Sequence, residues 1–243
     1  MLCSKADGGW RMPSVTHDRE EIIRALQLLH EPGDVIELRA LGVSTPEYRR
    51  PHRVSGYFND IDALATLAVK VSSSAKGVYI TLNHIDPALL ARAANRIRVV
   101  NDDEPLTLDT NVIRRRWLPI DCDPVRAASI SSTDEEHATA IARARKIREA
   151  LATEGWPPPI LADSGNGCHL LYRIDLPNDD ATRELLESVL KALAFRFEDS
   201  DVSIDQTVFN ASRIWKLYGT PARKGDHTPD RPHHLARLLE VTE

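Results

Sequence analysis

Apolar residues recur along the chain with two spacings, one typical of helices and one typical of strands. Where they fall three or four positions apart, between a capping residue and a glycine or proline, we predict amphipathic helices. The predicted helices span residues 16–33, 59–71, 86–97, 132–155 and 179–197. Short apolar runs bounded by turn residues predict strands. These span residues 34–41, 77–82, 117–125, 160–163 and 168–174, with a short edge strand or loop at 200–205.

The order of elements in the second half of the chain indicates the fold class. A strand, a helix, a hairpin, a helix and a short strand follow one another, which is typical of a sheet backed by helices, so we predict an α+β fold. The polar stretch from Asn101 to Arg116 precedes them and contains Pro105 and three successive arginines. We predict a linker or hinge there.

Composition places the chain among ordinary globular proteins and favours a cytoplasmic location. Of its 243 residues 42% are hydrophobic and 28% charged, and no apolar run approaches the ~20 residues of a membrane span. The first 18 residues contain no apolar core of an export signal. Cys3, Cys122 and Cys168 form neither a CxxC pair nor an even set, which indicates free thiols in a reducing compartment.

Charge is distributed unevenly along the chain. The net charge is −5, but Gln206 to Arg237 contains six Lys/Arg and two Asp, a net +4, which leaves −9 on the remainder. A positive segment on an acidic body holds phosphates locally, and the alternative is a solvated basic tail.

Two carboxylates lie two positions apart on the predicted strand "WLPIDCDPV". Period-two alternation directs Asp121 and Asp123 to one face, with Cβ atoms ~7 Å apart, and Cys122 to the opposite, buried face. Such a pair suits Mg²⁺ or Mn²⁺, because hard cations prefer carboxylate oxygens. Asp205, after the apolar residues of "VSID", is a third candidate. The alternative is that all three are solvated acids.

The stretch "ADSGNGCHLLYRID" makes a tight polar turn before a strand. Gly165 and Gly167 permit positive φ, so we expect successive backbone N–H groups to form an anion-binding nest. Ser164 and Asn166 add side-chain donors, and His169 follows directly. The alternative is a hairpin that uses Asn-Gly for a type I′ turn.

The stretch "NASRIWKLYGTPARKGD" contains basic residues on both faces of an extended segment. Arg213 shares a face with Trp215, while Lys216 lies on the other, so one basic residue is held near the core whichever face is buried. The pair Arg223-Lys224 then forms a flexible positive loop. A triphosphate or a template strand suits both parts.

Four motifs together resemble the archaeo-eukaryotic primase (AEP) superfamily, and most of all the primase-polymerases of plasmids, phages and other mobile elements. They are "LPIDCD", "SGNGCH", "SID" and "RIWKLYGT", in the family's order between Trp117 and Thr220. Any one motif is nonspecific, and the resemblance rests on all four. It extends upstream through "VIELRALG", "SGYFND" and "GVYITLNHIDPALLARAANR".

The resemblance implies a two-lobed AEP-like core with the active site between the lobes. We therefore expect an N-terminal α/β lobe at 1–100, a linker at 101–116 and an RRM-like catalytic lobe at 117–243. The metal-binding, catalytic carboxylates would be Asp121, Asp123 and Asp205, holding two Mg²⁺ or Mn²⁺ ions. The nucleotide-binding residues would be Ser164, Gly165, Asn166, Gly167, His169, Arg213 and Lys216. We assign Arg223, Lys224 and Arg231 to nucleic-acid binding.

The function implied is template-directed nucleotidyl transfer, adding NTPs or dNTPs to a 3′-hydroxyl on single-stranded DNA. The sequence contains no Cys/His zinc module and no GxxxxGK[ST] motif, so a helicase would be a separate partner or a domain missing from this sequence. Only 23 residues follow "YGT", which favours primer extension over initiation. His227, His233 and His234 lack zinc-ligand spacing and are expected to be solvated or to face DNA. Alternatives are a metal-dependent nuclease and a non-catalytic nucleotide-binding replication initiator or sensor.

Overall fold

The computed structural model describes residues 15–101 and 103–241. Cys3 and most of the segment considered as an export signal lie outside the described residues. Four helices are present in the described ranges: α1 Arg19–Leu29, α2 Ile61–Ser72, α3 Asp134–Thr153 and α4 Asp180–Phe197. Short 3₁₀ helices span Pro87–Arg92 and Asp109–Asn111.

The strands are numbered β1 to β13 in chain order. The first seven are β1 Ile36–Val43, β2 His52–Phe58, β3 Gly77–Thr81, β4 His84–Ile85, β5 Arg98–Val100, β6 Val112–Pro124 and β7 Ile160–Asp163. The rest are β8 Cys168–Pro177, β9 Val202–Ile204, β10 Ile214–Lys216, β11 Pro221–Ala222, β12 His234–Leu235 and β13 Arg237–Glu240. This mixture of helices and antiparallel strands confirms the predicted α+β class.

The first sheet has the order β10-β3-β1-β2-β5, with all pairs antiparallel. Helix α1 begins at Arg19 because the Asp18 carboxylate accepts the Glu21 N–H. The apolar stripe of α1, which includes Ile22 and Leu26, is fully buried in the main core.

The second sheet has the order β13-β7-β8-β6-β4, and β9 also pairs with β6. Within it, β9, β6, β8 and β7 are neighbours in that order and all pairs are antiparallel. Helix α3 connects β6 to β7, a short loop connects β7 to β8, and α4 connects β8 to β9. Helix α3 begins with a capping box, in which Thr133 accepts from Glu136 N–H and the Glu136 side chain accepts from Thr133 N–H. This connectivity places the end of β6 between β8 and β9.

Two sequence-based element predictions are corrected by the structure. The helix predicted over 86–97 is only a 3₁₀ turn, because the backbone at 93–95 pairs with Tyr57 of β2 instead of continuing the helix. Residues 112–116, predicted as linker, form the first part of β6, where they pair with β4 and β8.

The two sheets share one apolar core, and chain segments pass between them. Strand β10 comes from the segment assigned to the C-terminal lobe, yet it pairs with β3 at the edge of the first sheet. The Trp117 indole of β6 donates to Leu29 O at 3.1 Å. Lys216 of β10 is thereby brought opposite the carboxylates of β6. No helix within residues 15–101 and 103–241 has the length and apolarity to cross a bilayer.

Candidate active site in the cleft between the two sheets

A cleft of about 380 Å³ is lined by both sheets and by the loops next to them. The first sheet contributes Tyr79 of β3 and Lys216 of β10, and the second contributes Asp121 and Asp123 of β6. Anionic and cationic side chains therefore face the same space. The structure thus brings together residues that the sequence analysis selected from separate motifs.

Strand geometry places the two carboxylates of β6 as the alternation predicted. Asp121 and Asp123 are partly exposed and line the cleft, while Cys122 between them is fully buried. Cys122 lies opposite Cys168 of β8, and both are free thiols. Burial raises the pKa of both thiols, so they stay protonated. The carboxylate pair is therefore set on a strand that is paired on both sides and buries the residue between the two acids.

Asp121 carries an unpartnered carboxylate oxygen. Its Oδ1 is buried, has no hydrogen-bond partner among the described residues, and lies 3.5 Å from His169 Nε2. Burial, then the negative charges of Asp123 and Asp205, raise the pKa of Asp121 well above its usual range. A buried, unpaired carboxylate is costly unless a cation compensates it. The Asp121–Asp123 pair is thus a chemically suitable donor set for a hard divalent cation.

Asp205 lies next to this pair, and one oxygen of its carboxylate is bonded within its own turn. Its backbone N–H donates to Asp121 O at 3.0 Å, so the two residues are neighbours. Its Oδ1 accepts from the N–H and the hydroxyl of Thr207, at 2.8 and 2.7 Å. Within the described ranges no three His, Cys, Asp or Glu side chains lie close enough together to hold a metal ion. The role of Asp205 stays a prediction.

The β7–β8 loop, Ser164 to Gly167, forms neither the predicted anion nest nor a type I′ turn. Gly165 has φ +86°, but Asn166 and Gly167 do not have positive φ. The Gly165 N–H donates to Asp163 Oδ1 at 2.6 Å, and the Asn166 and Gly167 N–H groups donate to Ser164 Oγ at 3.3 and 2.9 Å. These N–H groups are already bonded within the loop, so they are not free to bind phosphate.

The same loop is anchored to the start of α3. Asn166 Oδ1 accepts the Ser132 N–H at 3.0 Å, and Asp163 Oδ1 lies 2.8 Å from His137 Nε2. Ser164 and Asn166 nevertheless line the cleft. Sequence reasoning missed Asp163 and His137. The sequence feature that could have identified them is the carboxylate of Asp163 at the end of the apolar strand "ILAD". A carboxylate buried there requires a polar partner.

Position 167 requires glycine because the β7–β8 loop lies very close to β6 there, and not because of a positive φ. A Cβ at this position would lie 2.2 Å from Cys122 O and 3.0 Å from Asp123 Oδ1. The loop can therefore lie directly against the carboxylate strand only because position 167 has no side chain.

His169 lies behind Asp121 instead of lining the cleft. Its ring is buried against Trp215 at 4.1 Å between centroids, and its Nδ1 is 2.9 Å from the Tyr218 hydroxyl. Burial, followed by the charges of Lys216 and Lys224, lowers the pKa of His169 to about 3. The Tyr218 oxygen also accepts the Trp215 indole N–H at 3.0 Å. We assign the neutral tautomer with its proton on Nε2, the nitrogen that faces Asp121.

Lys216 is a buried cation with no carboxylate partner among the described residues. Its ammonium donates to Thr220 Oγ1 at 2.9 Å and to Pro221 O at 2.7 Å, and it lies 5.6 Å from the centre of the Tyr79 ring. Burial, then the charge of Arg223, lowers its pKa to about 7. A bound anion would restore the charged form, so Lys216 is suited to hold a phosphate.

The other basic residues divide into those at the cleft and those elsewhere. Exposed Lys224 lines the cleft, as does Lys76, which sequence reasoning missed because it precedes β3 far from the basic segment. Arg223 also lines it, but its guanidinium is bonded to Ser72 O and Ala75 O. It therefore ties the C-terminal segment to the end of α2 and to the loop before β3.

Two predicted basic residues are placed away from the cleft. Arg213 donates to the backbone and hydroxyl oxygens of Thr207. Arg231 forms an ion pair with Glu136 at 2.8 Å and donates to Ser131 O. Neither is a lining residue of the cleft.

The three histidines near the C-terminus are bonded to protein groups. His227 Nδ1 accepts the His233 N–H at 2.8 Å, and His234 Nε2 lies 3.0 Å from Asp134 Oδ1.

Comparison with known proteins finds one weak structural similarity. No family model matches the sequence, and no curated protein is significantly similar to it. The chain is similar to the solved structure "Polymerase Domain from Mycobacterium tuberculosis Ligase D in complex with DNA", with 15% sequence identity over 93% of this chain and 87% of that chain, at a TM-score of 0.45. At that level the likeness alone establishes neither a function nor a site residue.

Proposed function

We propose that the protein is a template-directed nucleotidyltransferase that adds NTPs or dNTPs to a 3′-hydroxyl on single-stranded DNA. The proposal rests on one observation: the Asp121–Asp123 pair lines the same cleft as Lys216 and Lys224. Phosphoryl chemistry of this kind needs carboxylates for divalent cations and nearby positive charge for the triphosphate. The motif resemblance to primase-polymerases supports the same assignment.

The acidic and the basic residues of the cleft would bind different groups. Asp121 and Asp123 would hold Mg²⁺ or Mn²⁺, with Asp205 as a third ligand through its second carboxylate oxygen. Bound there, the ions would activate the 3′-hydroxyl and neutralise the leaving pyrophosphate. Lys216, charged once a phosphate lies beside it, binds the triphosphate, while exposed Lys224 and Lys76 hold its outer oxygens or the template.

The β7–β8 loop and His169 position these groups. Ser164 and Asn166 face the cleft from a loop whose backbone is fixed by Asp163. The buried His169 ring, with Nε2 3.5 Å from Asp121 Oδ1, would limit the space into which that carboxylate can turn. The strand order β9-β6-β8-β7 supports an RRM-like second lobe, with the carboxylates on its central strand β6.

The test is primer extension on a single-stranded DNA template, with labelled NTPs or dNTPs and with Mg²⁺ or Mn²⁺ in separate reactions. We expect wild-type protein to extend the primer, and Asp123→Asn to lose extension while keeping nucleotide binding. Asp201→Asn, which removes an exposed carboxylate outside the cleft, is the matched control and should behave as wild type.

Other outcomes would replace the proposal. Shortened template with no extension would indicate a metal-dependent nuclease. Nucleotide binding without incorporation by folded wild-type protein would indicate the non-catalytic initiator or sensor.

A further inference from the structure

A second cleft, of about 580 Å³, lies at the turn between β1 and β2. We call it the hairpin groove. It is formed by the residues at the tip of this hairpin together with the end of β5. Its lining residues include Tyr48, Arg49, Arg50, His52, Arg53 and Asn101.

The tip of the hairpin presents two adjacent exposed arginines, Arg49 and Arg50. The one acid in residues 45–53 is Glu47. Arg49 and Arg50 are exposed, and no carboxylate of residues 15–101 or 103–241 forms an ion pair with either. Arg98 of the neighbouring strand β5, by contrast, is neutralised by Glu104. Exposed guanidinium groups without a protein partner are suited to phosphate oxygens.

An exposed aromatic ring stands beside these arginines. Tyr48 is 48% exposed, and its ring packs on His52 with 4.3 Å between centroids. The His52 ring packs against Tyr48 at a tilt of 40°, and about half of the tyrosine surface stays exposed. Bases of a single strand stack on such a ring, whereas paired bases of a duplex are not available to it. Positive charge with an open aromatic ring therefore favours single-stranded over double-stranded nucleic acid.

The hairpin groove lies next to the end of the first sheet that faces the candidate active-site cleft, which we call the main cleft. Leu41 of β1 lines the main cleft, and Val43, two residues further on, pairs with His52 of the groove. Since a strand rises ~3.3 Å per residue, the two clefts are separated by a distance on the order of 10 Å along β1. The Ser44 N–H donates to Ser74 O at 3.0 Å, which ties the hairpin to the segment that carries Lys76 of the main cleft.

We propose that the hairpin groove binds single-stranded DNA next to the main cleft, with backbone phosphates on Arg49 and Arg50 and a base stacked on Tyr48. The identification of this strand as the template rests on the proposed nucleotidyltransferase function. The binding itself rests only on the charge, the exposed ring and the position of the hairpin.

The test measures binding and not catalysis. A fluorescently labelled oligothymidylate would be titrated with each protein while its fluorescence anisotropy is measured. The proteins are the wild type, the double variant Arg49→Gln/Arg50→Gln and the double variant Arg145→Gln/Lys146→Gln. The last removes the same charge from two neighbouring exposed residues on α3. Tyr48→Ala and Tyr48→Phe form a second matched pair, and circular dichroism confirms that every variant is folded.

We expect the hairpin double variant to bind about tenfold more weakly near 0.1 M salt, with a plot of log K against log salt shallower by about 1.4, because each single-strand phosphate contact contributes about 0.7. The α3 variant should lose far less. Tyr48→Ala should weaken binding about fivefold or more, and Tyr48→Phe should retain it.

Equal losses in the hairpin and α3 variants, or no binding by the wild type, would overturn the hairpin groove as a DNA site. A primer-extension reaction run in parallel separates the two proposals. If the hairpin double variant shows the predicted loss of DNA binding but the wild-type protein incorporates no nucleotide, the enzyme assignment fails and the DNA site stands.

Discussion

His30, directly after α1, shows how burial at a single residue couples stability to pH. It is 6% exposed, and its Nε2 has no hydrogen-bond partner among the described residues. Burial is the largest influence and lowers its pKa to about 4; Arg116, Arg173 and His84 lower it too, while Asp34 raises it. His30 is therefore neutral in the folded protein, whereas in the unfolded chain it takes up a proton below about pH 6.5.

The sign of the effect follows from these two pKa values. His30 contributes stability above pH 6.5, and that contribution is lost as the pH falls towards about 4. Between pH 7 and pH 5 the loss amounts to about 2 kcal/mol. In His30→Met the decrease in the free energy of unfolding between pH 7 and pH 5, measured in urea, should be smaller than in the wild type by this amount. His17→Gln, which removes an exposed histidine, should keep the wild-type dependence, and an unchanged dependence in His30→Met would contradict the prediction.

At the scale of elements, the β7–β8 loop is positioned by the absence of a side chain. In Gly167→Ala the new Cβ would meet the Cys122 carbonyl at 2.2 Å, so the loop or β6 must shift. We expect the free energy of unfolding to fall by about 2 kcal/mol, as in other overpacked sites, and nucleotide incorporation to be lost.

Gly155→Ala separates this steric effect from backbone strain. Gly155 has φ +87°, and a Cβ added there would have no other atom within 4 Å, so alanine should cost about 1 kcal/mol and leave incorporation intact. Equal effects of the two substitutions on incorporation would contradict the role given to Gly167.

Elements whose signals are local could be predicted from the sequence. Helix α3 has its capping box and stop glycine within its own segment, and the β7–β8 hairpin is bounded by its own turn residues. The predicted anion nest is not formed, because the Asp163 carboxylate and the Ser164 hydroxyl accept hydrogen bonds from the N–H groups of the loop. These bonds depend on side-chain positions inside the turn, which the sequence pattern does not specify. The alternation of Asp121 with Asp123 is likewise local, and it was predicted correctly.

Contacts between distant segments could not be predicted in this way. The pairing of β10 with β3 joins residues more than 130 positions apart, and no local pattern identifies it. The same holds for Lys76 and Tyr79, which line the cleft opposite carboxylates that are more than 40 positions away in the sequence.

At the scale of the whole molecule, a charged cluster joins the first part of the chain to β6. Arg116 of β6 is 12% exposed and pairs with Asp34 and with Glu31 of the α1–β1 loop. Asp34 also lies 2.8 Å from His84 Nδ1. Removing the arginine leaves a nearly buried Asp34 carboxylate without its main cation.

Arg116→Met should therefore lower the free energy of unfolding by about 3 kcal/mol. Arg114 lies on β6 as well, and its pair with Asp175 of β8 is exposed, so Arg114→Met should lower the free energy of unfolding far less. Neither residue lines the main cleft, so nucleotide affinity of the folded variants should not change. Urea unfolding curves test the first two statements, and equal destabilisation by both variants would contradict the structural role of Arg116.

The central claim is that the carboxylates of β6 and the cations opposite them transfer nucleotides. The most direct measurement is Mn²⁺-dependent incorporation of labelled nucleotide onto a primed single-stranded template by wild-type protein and by Asp121→Asn/Asp123→Asn. We predict extension by the wild type and none by the double variant, with both folded and both binding nucleotide. Extension by the double variant at the wild-type rate, or none by either protein with either metal, would contradict the account.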